Sequence, residues 1–154
     1  MVIAENEISY LCIDVSDDGI VFWGKGFNID SVGRLRWLVS ADVLYWGDID
    51  THGFAILDRL RAWLPPARSV LMDRDTLIAH RERWVTEDRP AASVLTRLTP
   101  DERDLYSELV AGGLGERVRL EQERIDWRWV EERLPAGRQV SIPTIAPPKL
   151  ASST

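Results

Sequence analysis

Asp48 and Asp50 stand one residue apart, directly after the apolar run Val43-Leu44-Tyr45-Trp46. In extended chain, side chains two positions apart point the same way. Two carboxylates held that close repel, so either a bound cation or a raised pKa is expected there. A solvated acidic turn would leave the same trace, and the pair alone does not choose between them. Glu5 follows the apolar run Met1–Ala4 and would add a third carboxylate at a strand end. Together they suit a hard divalent cation, since magnesium takes one or two direct carboxylates, waters and substrate phosphate. In the plainer alternative, Glu5 only favours the dipole of a helix that follows it.

Other residues carry weaker signals. Gly24-Lys25-Gly26 follows a third apolar run and would let the backbone approach a phosphate, with Lys25 supplying charge; a simple turn reads the same. It is neither a Rossmann fingerprint, because Ile29 stands where the third glycine belongs, nor a Walker A loop. His52 would position water or contact phosphate, or merely pack at a helix start. Glu121 and Glu123, in Glu121-Gln122-Glu123-Arg124, are candidates for a second ion or for a solvated helix face.

The elements that must position these residues alternate in type. Strands are predicted at Met1–Ala4, Ile20–Trp23, Val43–Trp46 and Arg68–Met72. Helices are predicted at Asn6–Ile13, with Ile8, Leu11 and Cys12 on one face, and at Ser31–Leu38, His52–Leu64, Thr76–Trp84 and Arg119–Leu134, the last broken near Asp126. Pro65-Pro66 stops the third of these helices. Thr99-Pro100-Asp101-Glu102 is a helix start, with Thr99 as N-cap and Pro100 at the first position; that helix ends near Gly112-Gly113. Apolar strands alternating with helices imply an α/β fold, a mostly parallel central sheet with helices on both faces. Ligands of such sheets bind at the carboxyl ends of the strands, so the residues after Ala4, Trp23 and Trp46 matter most. Residues 135–154 contain four prolines and no periodicity, and are expected to form a tail or linker after a domain spanning 1–134.

Composition narrows the function classes. The 154 residues are 45% hydrophobic and 29% charged, as in a globular domain. No apolar run reaches the ~20 residues of a membrane span, and no secretory signal opens the chain. Cys12 is the single cysteine, which excludes an internal disulfide and a Cys-based zinc site. A cytoplasmic protein is expected. The net charge of −6 argues against a module that binds nucleic acid through a basic face. It does not exclude an enzyme that reaches phosphates through a metal ion, which reverses the local sign.

The order of Glu5, Gly24-Lys25-Gly26-Phe27 and Asp48-x-Asp50-x-x-Gly53 resembles the Toprim domain of topoisomerases, primases and related nucleases. Within it, the resemblance is closer to the branch of the topoisomerase VI A subunit and its meiotic relative Spo-eleven. The string Tyr45 to Leu57 is similar to the C-terminal Toprim domain family of the Wadjet-system protein JetD. So are Leu71-Met72-Asp73-Arg74, Leu98-Thr99-Pro100 and Leu120 to Ile125. The resemblance spans about residues 1–134. It implies a Toprim-like fold and a nuclease that cuts plasmid DNA beside a condensin-like SMC complex, in defence against foreign circular DNA. It implies Mg²⁺ or Mn²⁺ held by Glu5, Asp48 and Asp50 as catalytic and metal-binding residues. Implied partners are double-stranded DNA, the SMC complex, an N-terminal DNA-binding part of the same protein, and a second copy as a homodimer. The domain alone is expected to be inactive. Tyr10, Tyr45 and Tyr106 read as packing residues, so water rather than tyrosine is the expected nucleophile. Three alternatives stay open: a non-catalytic Toprim domain binding DNA or partners, a haloacid dehalogenase-type phosphatase begun by Asp48-x-Asp50, and a structural domain with an accidental acidic pair. For the phosphatase, the only lysine after Asp50 is Lys149.

Overall fold

The computed structural model describes residues 1–14, 19–24, 29 and 34–134. Lys25, Gly26 and Phe27, most of the 16–19 turn, the 31–33 start of the second predicted helix, and the 135–154 tail with Lys149 lie outside these residues.

Four short strands make one parallel sheet: β1 (Val2–Ala4), β2 (Val21–Trp23), β3 (Leu44–Trp46) and β4 (Arg68–Ser69), in the order β2-β1-β3-β4. Ala4 pairs with Trp23 on one side and with Trp46 on the other, so the carboxyl ends of the three strands coincide. β1 and β3 are buried throughout, which explains their unbroken apolar sequence. The chain moves from β1 outward to β2, then returns across β1 to β3. The crevice between β1 and β3 is therefore the point where winding reverses, the place where such sheets bind ligands. The expected α/β fold around a parallel sheet is met.

Helix α1 (Glu7–Cys12) is capped by Asn6, whose side chain accepts from the N–H groups of Ile8 and Ser9. Its apolar residues do not face the core as expected. Ile8 and Leu11 are 62% and 72% exposed, and Ser9 is the buried residue. Tyr10 stacks on Trp23 of β2, which rotates the short helix about its axis. Helix α2 (Thr51–Trp63) buries Phe54, Leu57 and Leu60, as its 3–4 spacing predicts. Helix α3 (Arg74–Ala79) starts at the Asp73 cap and gives way to a 3₁₀ turn at Arg81–Arg83, so the helix expected at 76–84 is shorter and earlier. The fourth strand is also shorter than expected, because Leu71 adopts φ 60° and turns the chain out of the sheet. Helix α4 (Pro100–Ala111) has the predicted Thr99 cap, completed as a capping box by Glu102, and ends at left-handed Gly112.

The helix expected over 119–134 is replaced by three elements. β6 (Val118–Arg119) pairs antiparallel with β5 (Val85–Thr86); a 3₁₀ turn follows at Gln122–Arg124; then α5 (Trp127–Arg133) begins at the Asp126 cap. Val118, Leu120 and Gln122 are buried while Arg119 and Glu121 are only partly so, a period of two rather than 3.6. No helix among the described residues is long and apolar enough to cross a membrane.

Helices α2 and α4 are held together by a buried ion pair. Arg61 donates to both Glu102 oxygens, at 2.5 and 2.9 Å, and also to the carbonyls of Ala67 and Arg97. Burial raises the Glu102 carboxyl, but donors from Arg61, Ser69 and Thr99 outweigh it and hold the group below its ordinary value. Breaking such a pair from one side leaves a charge buried without its partner. Arg61→Met is expected to cost about 3–5 kcal/mol in urea unfolding. A loss under ~1 kcal/mol would show that solvent reaches Glu102.

Candidate metal centre

The Asp48-x-Asp50 segment leaves β3 and is clamped from the other side by residues 118–121. Ile49 and Leu120 exchange both backbone hydrogen bonds, 2.9 and 3.1 Å, and both side chains are fully buried. Antiparallel register then sets Asp50 opposite Arg119 and Asp48 opposite Glu121. With Ile49 and Leu120 turned inward, the four charged side chains share the other face. Arg119 lies diagonal to Asp48 and neutralises the acids: Nη2 donates to Asp48 Oδ2 at 2.6 Å, Nε is 3.3 Å from Asp50 Oδ2, and Nη2 is 3.7 Å from Glu121 Oε1. Burial disfavours the Arg119 charge, yet the carboxylates, Asp48 foremost, raise its pKa further.

Each acid is fixed by a different element. Asp50 is 3% exposed and caps α2, its Oδ1 accepting from the Gly53 N–H at 2.7 Å. Gly53 is required there because a Cβ would collide with the Asp48 carbonyl. The other oxygen of Asp48 accepts from the backbone N–H of Gln122 at 2.8 Å, and the Gln122 side chain accepts from Asn6 N–H at 3.0 Å. Gln122 thus ties the end of β1 to Asp48. Glu5, first after β1, donates its N–H to the Trp46 carbonyl at 3.2 Å, and its side chain lies beside the Tyr45 hydroxyl, which donates to the Gly53 carbonyl at 3.4 Å. Gly47 makes room for that contact: a Cβ would lie 2.6 Å from the Tyr45 hydroxyl and 3.1 Å from Glu5 Oε2.

Glu5, Asp48, Arg119 and Glu123 line one cleft of about 460 Å³, with Gly24 and α1 residues on its walls. Asp50 sits behind Asp48, close enough that both raise the Glu5 carboxyl. That carboxyl is pushed up to about 7, first by burial, with the neighbouring Tyr45 hydroxyl opposing. Asp50 is also raised, by burial first, then by Glu87 and Asp48, against the Gly53 N–H and Arg119. The Tyr45 phenol lies well above its usual value, through burial and the charge of Glu5.

The structure thus gathers Glu5, Asp48, Asp50 and Glu121 around Arg119 and places Glu123 on the same cleft. His52 is elsewhere: more than half exposed, its Nε2 lies 2.6 Å from the Arg89 carbonyl and it does not line the cleft. Lys25 falls outside the described residues. Arg119, Gln122, Tyr45 and Glu87 are the residues that sequence reasoning missed. Glu87 is 2% exposed and accepts from Thr51 Oγ1 at 2.6 Å, at the start of α2. The alternation Val118-Arg119-Leu120-Glu121 was the available signal for Arg119. In donor chemistry the oxygens fit magnesium or manganese, which need few direct carboxylates. Among the described residues, however, no group of three or more His, Cys, Asp or Glu is disposed to enclose an ion. Arg119 supplies the compensating charge.

Two outcomes are expected. Gly53→Ala should cost about 2 kcal/mol or more in thermal unfolding, since backbone must move; a neutral result would show that the Asp48 carbonyl can give way. For Glu5, the folded protein keeps a proton between pH 4.5 and about 7 that the unfolded chain has lost. Its stabilisation is therefore complete below pH 4.5 and lost as pH rises through 7. In EDTA, stability should fall from pH 5 to 8 by on the order of 1–3 kcal/mol more for the wild type than for Glu5→Gln. Parallel curves would contradict the burial assigned to Glu5.

No curated protein matches the chain. Residues 1–134 match the model of the family described as Wadjet protein JetD, C-terminal. The match covers the whole described α/β unit, the acidic loop and its Arg119 clamp included. The chain belongs to the family of C-terminal domains of the Wadjet protein JetD.

Proposed function

We propose that this chain is the catalytic, Toprim-type domain of a metal-dependent DNA endonuclease that hydrolyses foreign or plasmid DNA within a Wadjet defence system. The observation that carries the reading is that Glu5 and Asp48, from two neighbouring strands, face one cleft at the winding reversal of the sheet, with Asp50 directly behind. Family membership supports the association with Wadjet subunits, and the SMC complex is the expected partner among them. Double-stranded DNA, an N-terminal DNA-binding part and a second copy belong to the same reading. So does kinship with the topoisomerase VI branch.

Glu5, Asp48 and Asp50 would hold Mg²⁺ or Mn²⁺, with Glu121 and Glu123 as the candidates for a second ion. The bound ion would supply an activated water and charge neutralisation at a phosphodiester. The chain's own residues do the positioning. The buried Tyr45 hydroxyl lies beside the Glu5 carboxyl group and lowers its pKa. The α2 cap fixes Asp50, and Gln122 holds Asp48 against the end of β1. No tyrosine of the described residues stands exposed at the cleft as a nucleophile, in keeping with attack by water.

One observation favours a second reading, a non-catalytic domain that binds DNA or partner subunits: Arg119 already pairs with Asp48. The phosphatase alternative gains nothing, since no lysine stands among the described residues to serve it. The test is cleavage of supercoiled plasmid by the full protein with its Wadjet partners in Mg²⁺ or Mn²⁺. Glu5→Ala and Asp48→Ala should each reduce cleavage at least about 100-fold. Equal cleavage by wild type and both variants rejects the nuclease. DNA binding without cleavage in either metal supports the second reading.

A further inference from the structure

Arg61 and Arg119 both pair with buried carboxylates, and they differ in how completely they are satisfied. Arg61 uses Nε, Nη1 and Nη2, each on an oxygen, and is 7% exposed. Arg119 makes one hydrogen bond, from Nη2 to Asp48. Its Nε is buried with no hydrogen-bond partner and has only the 3.3 Å ion-pair contact with Asp50. Its side chain is 33% exposed and forms a wall of the cleft that Glu5 and Asp48 share. Arg61 is built to stay. Arg119 is partly exposed to the cleft and keeps an under-used donor.

Charge gives that difference a consequence. Asp48, Asp50 and Glu121 share the face of the clamp with Arg119 alone among the four. In a metal-free protein the Arg119 guanidinium limits the repulsion of Asp48 and Asp50, while Glu121 is shared with Arg124. A dication placed on Asp48 would meet that guanidinium on the same carboxylate. Like charges that close, with little water between them, repel strongly. The two cations therefore exclude one another at Asp48, and occupancy by one lowers the apparent affinity for the other.

We propose that Arg119 is a built-in competitor for the divalent cation, seated on Asp48 in the metal-free domain and surrendering it when the ion binds. This rests on the metal-binding part of the reading above and adds to it a residue that sets cation affinity. Asp50 and Glu121 remain within reach of the displaced guanidinium, so release from Asp48 does not strand it.

Titration calorimetry of Mn²⁺ into the full 154-residue chain tests the proposal without reference to activity. Arg119→Met should bind Mn²⁺ at least about tenfold more tightly than wild type. Arg119→Lys, which contacts fewer carboxylates at once, should fall between them. Arg124→Met, which removes an exposed partner of Glu121, should match the wild type. In EDTA, Arg119→Met should unfold at lower temperature than wild type, and saturating Mn²⁺ should close the gap. If Arg119→Met does not fold, Arg119→Lys carries the comparison. Affinity unchanged or weakened in the Arg119 variants, or no Mn²⁺ binding to any of them, overturns the proposal. Tightened binding together with cleavage indifferent to Glu5→Ala would sink the nuclease and leave Arg119 as competitor. Unchanged affinity together with cleavage that needs Glu5 would sink only the competitor.

Discussion

The site depends on one pair of backbone hydrogen bonds, between Ile49 and Leu120. They join segments 71 positions apart and convert a loop into a two-residue ladder. Once Ile49 and Leu120 turn inward, the alternation of extended chain leaves Asp48, Asp50, Arg119 and Glu121 no choice of side. Everything else at the site supports that bridge. The β5–β6 pair continues it, the α2 cap anchors Asp50, and Gln122 runs from Asp48 to the end of β1. A loop carrying two aspartates would otherwise spread them into water.

The price of that rigidity is electrostatic. Burial and mutual repulsion push the carboxyls of Glu5 and Asp50 upward, and the Arg119 guanidinium answers for Asp48 and Asp50. Acidic sites of this kind are stabilised by any cation that binds only the folded state. The domain as a whole is acidic, so the proposed action on DNA would need an ion in the cleft, partner subunits, or both. That fits a domain whose family is defined within a multi-subunit system.

Part of this was legible in the sequence. The buried strands showed as unbroken apolar runs, and the Asp48-x-Asp50 pair stood at the end of the best of them. Thr99-Pro100 and Glu102 announced α4 because capping is local. The failures share a physical cause. A two-residue strand such as β6 has no period of its own, and the charged run at 119–124 mimics a solvated helix face. Its true character lies in a pairing with Ile49 that no local window contains. The outward face of α1 was misread because Tyr10, not Leu11, finds the aromatic partner on β2. Tyr45 read as packing because it is buried; its hydroxyl also serves Glu5, which only the glycine at 47 makes room for.

The central claim is that Glu5 and Asp48 are ligands of one divalent cation. Crystals of the domain soaked in MnCl₂, measured at the manganese edge, test it directly. The account predicts an anomalous peak in the cleft, about 2.0–2.3 Å from an oxygen of Glu5 and an oxygen of Asp48, with Arg119 withdrawn from Asp48. A saturated crystal with no peak between those two carboxylates, and Arg119 still seated on Asp48, would contradict it.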